Sequence, residues 1–448
     1  MKRTLTTIAL LVAALAVPAL AETTDEDLAS EDRMRALERK VELLTDELAR
    51  TRQDMGVPEE KPLESTWGLG PAASKVYSVT KGLSIGGYAE TVYTDVIADK
   101  RKSDEEDTFD FVRAVLYTGY KFTDQIVFNA EFEFEHASTS GHEGSGGGSV
   151  SVEFATLDYL WRDEANLRAG LMLVPMGFLN EMHEPPFYYG NHRPVSEEVI
   201  IPSTFRENGA GVFGRIAEIV EYKAYVITSL NGAGFSSEGL RGGRMRGNRA
   251  NADDFSFVGA LDVEPVPGLQ LGGSTMIGNT GHDQRVDVLD TLGGGSLVLP
   301  QARLTLWEAH AQFQRHGLHV RALYTQALLD GARDLTLALR ATGDIGASEV
   351  IAEQMVGYYG ELAYEIMQWL APQSGWTVEP FARFEHVDTQ YDVPTGFAAD
   401  RANQGDIFTT GVSVKPIPNV VLKVDYRNKN PRRGAAGDEI NAGFGLVF

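Results

Sequence analysis

The segment Glu439-Ile440-Asn441-Ala442-Gly443-Phe444-Gly445-Leu446-Val447-Phe448 alternates apolar side chains with small or polar ones. Because successive side chains of a β-strand point to opposite faces, Ile440, Phe444 and Phe448 share one face, while Asn441 and Gly443 share the other. An apolar outer face and a small, polar inner face are typical of a barrel wall that separates lipid from water. The alternative is an edge strand of a soluble sheet, and the rest of the chain weighs against it.

A similar alternation recurs along most of the chain. In the predicted third strand, Phe132 lies between Glu131 and Glu133, and in the fifteenth Leu422 precedes Lys423. The predicted fourth, sixth and eighth strands are equivocal in their facing. An antiparallel sandwich would also alternate, but it would not place charges on its inner face. We predict sixteen strands, over residues 83–94, 109–122, 125–137, 150–162, 166–176, 207–217, 221–230, 255–264, 269–279, 302–315, 318–329, 351–367, 376–390, 406–415, 420–430 and 439–448.

The connections between these strands alternate in length. Those after even-numbered strands are mostly short turns, such as 123–124 and 163–165, whereas those after odd-numbered strands are long and polar, such as 141–149 and 241–254. With the amino terminus in the periplasm, seven short turns lie inside and eight long loops outside, which is the asymmetry of an outer-membrane barrel. The predicted fold class is therefore all-β, a sixteen-stranded antiparallel transmembrane barrel over 82–448.

The amino-terminal residues indicate export. Lys2 and Arg3 precede an apolar stretch over 8–17 that is too short to span a bilayer, and Ala19-Leu20-Ala21 is a small-x-small cleavage site. We predict a signal peptide over 1–21. Downstream of it there is no apolar run of about eighteen residues, so a helical membrane anchor is not expected. A membrane location for the mature protein would then require a barrel.

Residues 22–56 have a different pattern, in which apolar side chains recur at spacings of three, four and seven. This heptad stripe predicts an α-helical coiled coil in the periplasm, and a single amphipathic helix lying on its own protein is the alternative. Residues 57–81, with three prolines, are predicted to form a linker to the barrel. The stripe consists of Met34, Leu37, Val41, Leu44, Leu48 and Met55.

Composition excludes several classes of function. The chain has 448 residues, 47 Gly, no Cys and a net charge of −23, which argues against nucleic-acid binding and against disulfide dependence. Its nine histidines show no metal-ligand spacing, and no Ser–His–acid set stands out, so we predict no metal, no cofactor and no catalytic residues. A basic patch either contacts lipopolysaccharide phosphates and incoming anions or is a solvated loop. It consists of Arg241, Arg244, Arg246 and Arg249.

Sixteen strands enclose enough space for a water-filled lumen, and a pore of that width needs a constriction to be selective. The connection from Gly177 to Arg206 is the longest between wall strands, and its aromatic and proline residues favour an ordered loop packed inside the barrel. A structured external cap or subunit latch is the alternative. The predicted lining and constriction residues are Arg113, Glu131, Glu133, Arg168, Glu181, Glu184, Arg193, Glu197, Glu198, Arg206, Arg215, Arg383, Lys423 and Arg427.

Two sequence runs carry a resemblance to a known family. LRAGLMLVPMG over 167–177 and IPSTFRENGAG over 201–211 resemble the fifth strand, third loop and sixth strand of the phosphate-selective porin O and P family. The chain is also similar to related trimeric porins with a periplasmic coiled coil, and the likeness is strongest over 150–230. The terminal Phe448 resembles the aromatic end of bacterial outer-membrane barrels, which the insertion machinery recognises.

The resemblance implies a homotrimeric channel for passive diffusion, with its third loop folded inward. Phosphate selectivity does not transfer, because the family members that select phosphate line the pore with arginines and lysines, whereas here basic and acidic side chains are mixed. Such mixed walls favour broad permeability to ions and small polar solutes.

We therefore predict an outer-membrane porin, in contact with membrane lipid and lipopolysaccharide. Two other classes remain open. One is an adhesion or wall-tethering barrel in which the coiled coil matters more than the pore, and the other is a barrel hydrolase.

Overall fold

The computed structural model describes residues 39, 40, 43, 47, 64–97, 106–137, 147–289 and 293–448. Sixteen strands close into one antiparallel barrel, in which each strand pairs with its neighbours in the chain and β1 pairs with β18. The other two strands, β10 and β11, form a separate hairpin. The strands are β1 (Gly82–Ile97), β2 (Thr108–Lys121), β3 (Ile126–Glu135), β4 (Val150–Arg162), β5 (Ala165–Leu173), β6 (Arg206–Ile216), β7 (Val220–Thr228), β8 (Phe255–Val266), β9 (Leu269–Asn279), β10 (Arg285–Asp287), β11 (Ser296–Val298), β12 (Arg303–Arg315), β13 (Leu318–Asp330), β14 (Gln354–Tyr364), β15 (Thr377–Asp392), β16 (Gln404–Ile417), β17 (Val420–Pro431) and β18 (Asp438–Val447).

The sixteen predicted wall strands are confirmed, and their ends agree with the structure to within three residues. Side-chain exposure separates the two faces of the wall. On β17, Leu422 is 47% exposed and Val424 50%, whereas Lys423 and Asp425 are 3% and 2% exposed. The wall thus has an apolar outside and a charged inside, as the period of two predicts.

The two ends of the barrel differ. Seven connections lie at one end, here called the short-turn end, and six of them are tight turns; the seventh, between β14 and β15, includes helix α3 (Met367–Leu370). Eight longer connections lie at the other end, here called the long-loop end. They include the β10–β11 hairpin and helix α2 (Ala332–Thr342). The predicted alternation of short and long connections is therefore confirmed.

Part of the interior at the long-loop end is an apolar core. Ile227 of β7, Val258 of β8 and Met276 of β9 are buried there, although they belong to wall strands, and Phe213 of β6 belongs to the same buried cluster nearer the short-turn end. Ile200, from the connection between β5 and β6, is buried in the same core. These apolar inner faces explain why the sixth and eighth strands are equivocal in the sequence. Apolar side chains therefore occupy this part of the interior.

Helix α1 (Pro71–Ser78) lies within the stretch predicted as a linker, and it packs on the inner face of the first three strands. Asn129 of β3 donates a hydrogen bond to the Ala73 carbonyl over 2.8 Å. Gly119 of β2 leaves room for Val76, because a Cβ at residue 119 would overlap that side chain. Pro71 occupies the first turn of the helix, where its missing N–H is not needed.

The predicted leader over 1–21 and the predicted coiled coil over 22–56 lie outside the described residues, apart from four isolated positions. The chain divides into a unit of residues 1–62 and a unit of residues 63–448, and the barrel with α1 belongs to the second. Within the described part of the chain, no helix has the length and apolar character needed to cross a membrane.

Candidate pore constriction

The connection of residues 174–205 between β5 and β6 is an ordered element, not a loose loop. It contains a 3-10 turn at Pro185–Phe187 and a π-helical turn at Ser196–Ile200. Asn180 ties its two ends together. The side-chain amide donates to the carbonyls of Val174 and Phe205 over 2.6 and 2.8 Å, and its oxygen accepts from the Phe205 N–H over 2.6 Å. We call this segment the β5–β6 connection.

The β5–β6 connection crosses the barrel interior. The Tyr189 hydroxyl donates to Glu379 of β15 over 2.8 Å, and the Val195 N–H donates to Glu385 of the same strand over 2.6 Å. In the barrel order, β15 is eight strands from β5 in either direction, so it is the opposite wall. Asn191 also reaches Asp425 of β17, through both its backbone and side-chain N–H groups.

The inner face of β18 makes room for this crossing. A Cβ at Gly445 would overlap Pro185, and one at Gly443 would overlap the side chain of Asn191. The small residues that mark the inner face in the sequence therefore allow the β5–β6 connection to lie against the wall.

On the near wall, meaning the side of the barrel that carries β5, charged side chains form ion pairs with side chains of nearby strands. Arg113 of β2 contacts Glu90 of β1 and Glu133 of β3, each at 2.9 Å. Arg206, at the start of β6, contacts Glu153 of β4 at 2.8 Å. These side chains are largely buried, so each ion pair replaces water that the charges lose on folding.

On the far wall, basic side chains hold the backbone of the β5–β6 connection. Arg383 of β15 is 1% exposed, contacts Glu385 at 2.8 Å, and donates to the carbonyl of His192 over 2.9 Å. Lys423 of β17 donates to the Gly190 carbonyl over 2.9 Å and lies over the Tyr188 ring, 3.6 Å from its centroid. Carbonyl groups that would otherwise lose water are thereby satisfied.

Towards the short-turn end, the β5–β6 connection contacts helix α1. The Glu184 carboxylate accepts from the N–H groups of Ala72 and Ala73 over 2.9 and 3.2 Å, in the first turn of the helix. Negative charge is favourable at a helix amino terminus, because the free N–H groups point towards it. Glu181 pairs with Lys223 of β7 at 2.5 Å.

Two cavities lie on either side of the β5–β6 connection. One, of about 460 Å³, is lined by Lys223, Arg321 and turn residues such as Gly268, and we call it the short-turn cavity. The other, of about 220 Å³, is lined by Glu90 and Arg193 among others, and we call it the long-loop cavity. Among the described residues, the two linings share no member, and both include residues of the connection.

The remaining predicted residues either line one of the two cavities or are held by a neighbouring side chain. Arg193 and Glu198 line the long-loop cavity, Arg215 lines the short-turn cavity and pairs with Glu221, and Glu197 accepts from the Tyr359 hydroxyl over 2.7 Å. Arg427 pairs with Glu439, and Glu131 faces His183. Arg168, another predicted lining residue, is held by Asp158 and Tyr77. Phe448 pairs through its backbone with Gly87 and is 49% exposed.

The basic patch contacts the connection as well. Arg241 donates to the Ser203 carbonyl, and Arg244 donates to the carbonyls of Pro202 and Thr204 over 3.0 and 2.9 Å. Two of the four arginines, the exposed Arg241 and the half-buried Arg244, are therefore held by hydrogen bonds to the connection. Sequence reasoning missed these contacts, as well as Asn180, His183 and Lys223, since each depends on a partner that is distant along the chain.

The fold of the barrel is similar to that of known outer-membrane proteins. OmpF of Salmonella typhi, in complex with daunomycin, superimposes with a TM-score of 0.53 at 12% identity, over 82% of this chain and 98% of that one. The loop L8 deletion mutant of OmpT, an outer membrane protein of Vibrio cholerae, gives 0.52 at 10% identity, over 83% and 100%. The fold is thus that of outer-membrane porins.

No family model matches the chain. An uncharacterized protein of Aquifex aeolicus (strain VF5) is 35% identical over 385 residues, which are 85% of this chain and 83% of its relative. At that identity and coverage, the chain belongs to the same protein family as this Aquifex aeolicus protein.

Proposed function

We propose that this protein is a porin-type channel of the bacterial outer membrane, through which ions and small polar solutes pass by passive diffusion. The observation that carries the proposal is a closed sixteen-stranded barrel with an exposed apolar exterior and charged side chains inside. A closed barrel leaves no unpaired strand edge in lipid, and charged side chains inside suit the passage of polar solutes.

The β5–β6 connection, with helix α1 behind it, is the proposed constriction. Its contacts to β1, β15 and β17 support this role, because they hold a chain segment between opposite walls of the barrel. The two cavities support it too, because residues of this segment line both of them while the two linings share no member.

Three further parts of the proposal rest on the sequence. The predicted leader over 1–21 supports export, Phe448 is the proposed insertion signal, and the heptads over 22–56 support a homotrimer with a periplasmic coiled coil. The resemblance to the phosphate-selective porin O and P family stays a prediction. Phosphate selectivity itself is not proposed, because Arg113, Arg193 and Arg241 share the long-loop cavity with four acidic side chains. These are Glu90, Asp110, Glu135 and Glu198.

The test is single-channel conductance in planar lipid bilayers. Removal of residues 184–196 deletes the part that reaches the far wall while keeping Asn180, so we expect a several-fold larger conductance and passage of larger solutes. A matched deletion of residues 140–145, in the β3–β4 connection, should leave the conductance unchanged. A purified full-length protein without channels, or a 184–196 deletion with the conductance of the full-length protein, contradicts the proposal.

A further inference from the structure

Three chelating side chains meet at a buried point where the β5–β6 connection touches the wall. They are Glu131 of β3, Glu153 of β4 and His183 of the connection, and none is more than 1% exposed. The His183 Nε2 lies 3.3 Å from Glu131 Oε1 and 3.6 Å from Glu153 Oε2. One ligand atom from each residue lies within 4.8 Å of the other two.

No hydrogen-bond donor lies between the three ligand atoms of this cluster when the histidine is neutral. His183 Nδ1 is 3.2 Å from the Asn180 carbonyl, which only accepts, so Nδ1 carries the proton in that contact. In the neutral ring Nε2 then presents a lone pair towards the two carboxylates. Glu131 Oε2 and Glu153 Oε2 are buried, and among the described residues neither has a hydrogen-bond partner. Acceptors that converge in this way need a cation or a proton between them.

The distances fit a metal ion better than a proton. A charge-assisted N–H···O bond is about 2.7–2.9 Å long, shorter than either His183 contact. Zn²⁺ binds nitrogen and oxygen ligands at about 2.0–2.2 Å with tetrahedral angles, which places neighbouring ligand atoms about 3.3–3.6 Å apart. A proton on Nε2 points at one carboxylate oxygen at a time, whereas one ion contacts both carboxylates at once.

The surroundings also suit a metal centre. A metal-bound histidine commonly donates its other ring N–H to a carbonyl, as His183 does to Asn180. The second oxygen of Glu153 is held by Arg206 at 2.8 Å. Arg113 pairs with Glu90 and Glu133, and among the described residues no Arg or Lys forms an ion pair with Glu131.

We propose that Glu131, Glu153 and His183 bind one divalent transition-metal ion such as Zn²⁺, with water completing the coordination. One imidazole and two carboxylates are ligands that Zn²⁺ accepts, and the nitrogen ligand favours such an ion over Ca²⁺ or Mg²⁺. Because two ligands belong to the wall and one to the β5–β6 connection, the ion would clamp the connection to β3 and β4. This site goes beyond the proposed channel function and does not depend on it.

The test is the metal content of refolded protein. The full chain is refolded in detergent with Zn²⁺, so that the ion has access before the site is buried, and unbound metal is removed by gel filtration. We expect about one zinc per chain by mass spectrometry of the metal. Refolding with Co²⁺ should give the visible absorption bands of a low-coordinate cobalt site. Heat-modifiable mobility in gels reports folding without any conductance measurement.

The variants His183→Gln, Glu131→Gln and Glu153→Gln should each lose most of the bound ion. His192→Gln is the matched control, because His192 lies in the same connection but faces one carboxylate, Glu439, at 3.8 Å. It should keep one zinc per chain. Folded wild-type protein that holds neither zinc nor cobalt overturns the proposal, as does undiminished binding in the three ligand variants. If a variant fails to fold, the cobalt spectrum of the wild type still decides.

Discussion

Buried charges inside the wall work mostly as pairs between neighbouring strands. Arg113, Arg168 and Arg206 each contact an acidic partner at 2.8–2.9 Å, and Arg383 has two acidic partners. Removing one member of a buried pair costs about 3–5 kcal/mol, because the other charge then stays buried and unpaired. Such pairs fix the structure of the wall. A residue that tunes the field in the pore must therefore be one whose charge is not committed to a pair.

Arg193 is such a residue. It lines the long-loop cavity, and its buried Nη2 has no hydrogen-bond partner among the described residues. Arg193→Gln removes a positive charge, so we expect cation preference to rise. One charge at about 4 Å is worth about 1 kcal/mol in water, or roughly fivefold; the effect is larger in a less polar site and is screened by salt. Reversal potentials in a salt gradient measure the shift. Arg162→Gln, at a site 57% exposed and outside both cavity linings, should leave them unchanged.

Gly445 offers a steric test of the same site. Gly445→Val places a side chain where Pro185 lies, so we expect the β5–β6 connection to be displaced and the conductance to increase. Overpacking of this kind costs about 1–3 kcal/mol of folding free energy. Ala442→Val creates the same side chain on the outer face of β18 and is the control. Equal conductance and equal urea stability in the two variants would show that the connection does not pack against this strand.

At this scale the sequence predicts which residues face inward but not which residues they meet. Lys423 and Glu131 are assigned to the inner face by the period of two, which is a local property. Their partners, Gly190 and His183, are 233 and 52 residues away. No spacing rule covers such distances, and for the same reason the histidine cluster does not stand out in the sequence.

The secondary-structure elements differ in how far local sequence determines them. The wall strands carry their own alternation and their turns, so their ends are predicted to within three residues. Helix α1 has only eight residues, too few for a stable helix in isolation, and depends on its contacts with β1, β2 and β3. A stretch with few local signals and three prolines was consequently predicted as a linker.

Helix α1 gives a prediction at the scale of the element. Gly119→Leu places a larger side chain where Val76 packs, so α1 should leave the inner face and the conductance should rise. Deletion of residues 22–80 should raise it at least as much, because it removes the helix altogether. Thr118→Leu on the neighbouring position and deletion of residues 22–56 are the matched controls. Single-channel records of all four variants measure the effect, and conductance in Gly119→Leu and the 22–80 deletion no higher than in the controls would contradict it.

For the whole molecule, the interior divides into a charged side and an apolar side. The β5–β6 connection bridges them, because Ile200 and Ile201 lie in the apolar core while Tyr189 and Asn191 reach the charged wall. Strand count predicts the circumference of the barrel, but it does not predict how much of the inside is filled. The filled fraction of the interior depends on long connections, which contact other long connections. It also depends on the wall strands whose inner and outer faces are both apolar.

The predicted coiled coil bears on the oligomeric state of the whole protein. If the heptads over 22–56 form a coiled coil, the full-length protein should be a trimer in mild detergent, and Leu37→Asn with Leu44→Asn should weaken it by placing amides in the apolar seam. Glu38→Asn with Glu47→Asn, beside the seam, is the control. Light scattering corrected for detergent measures the mass at decreasing protein concentration, where the weakened trimer should dissociate first. Conductance per barrel should stay the same in both variants, because each barrel closes on itself through β1 and β18. A monomeric full-length protein would contradict the trimer while leaving the channel proposal standing.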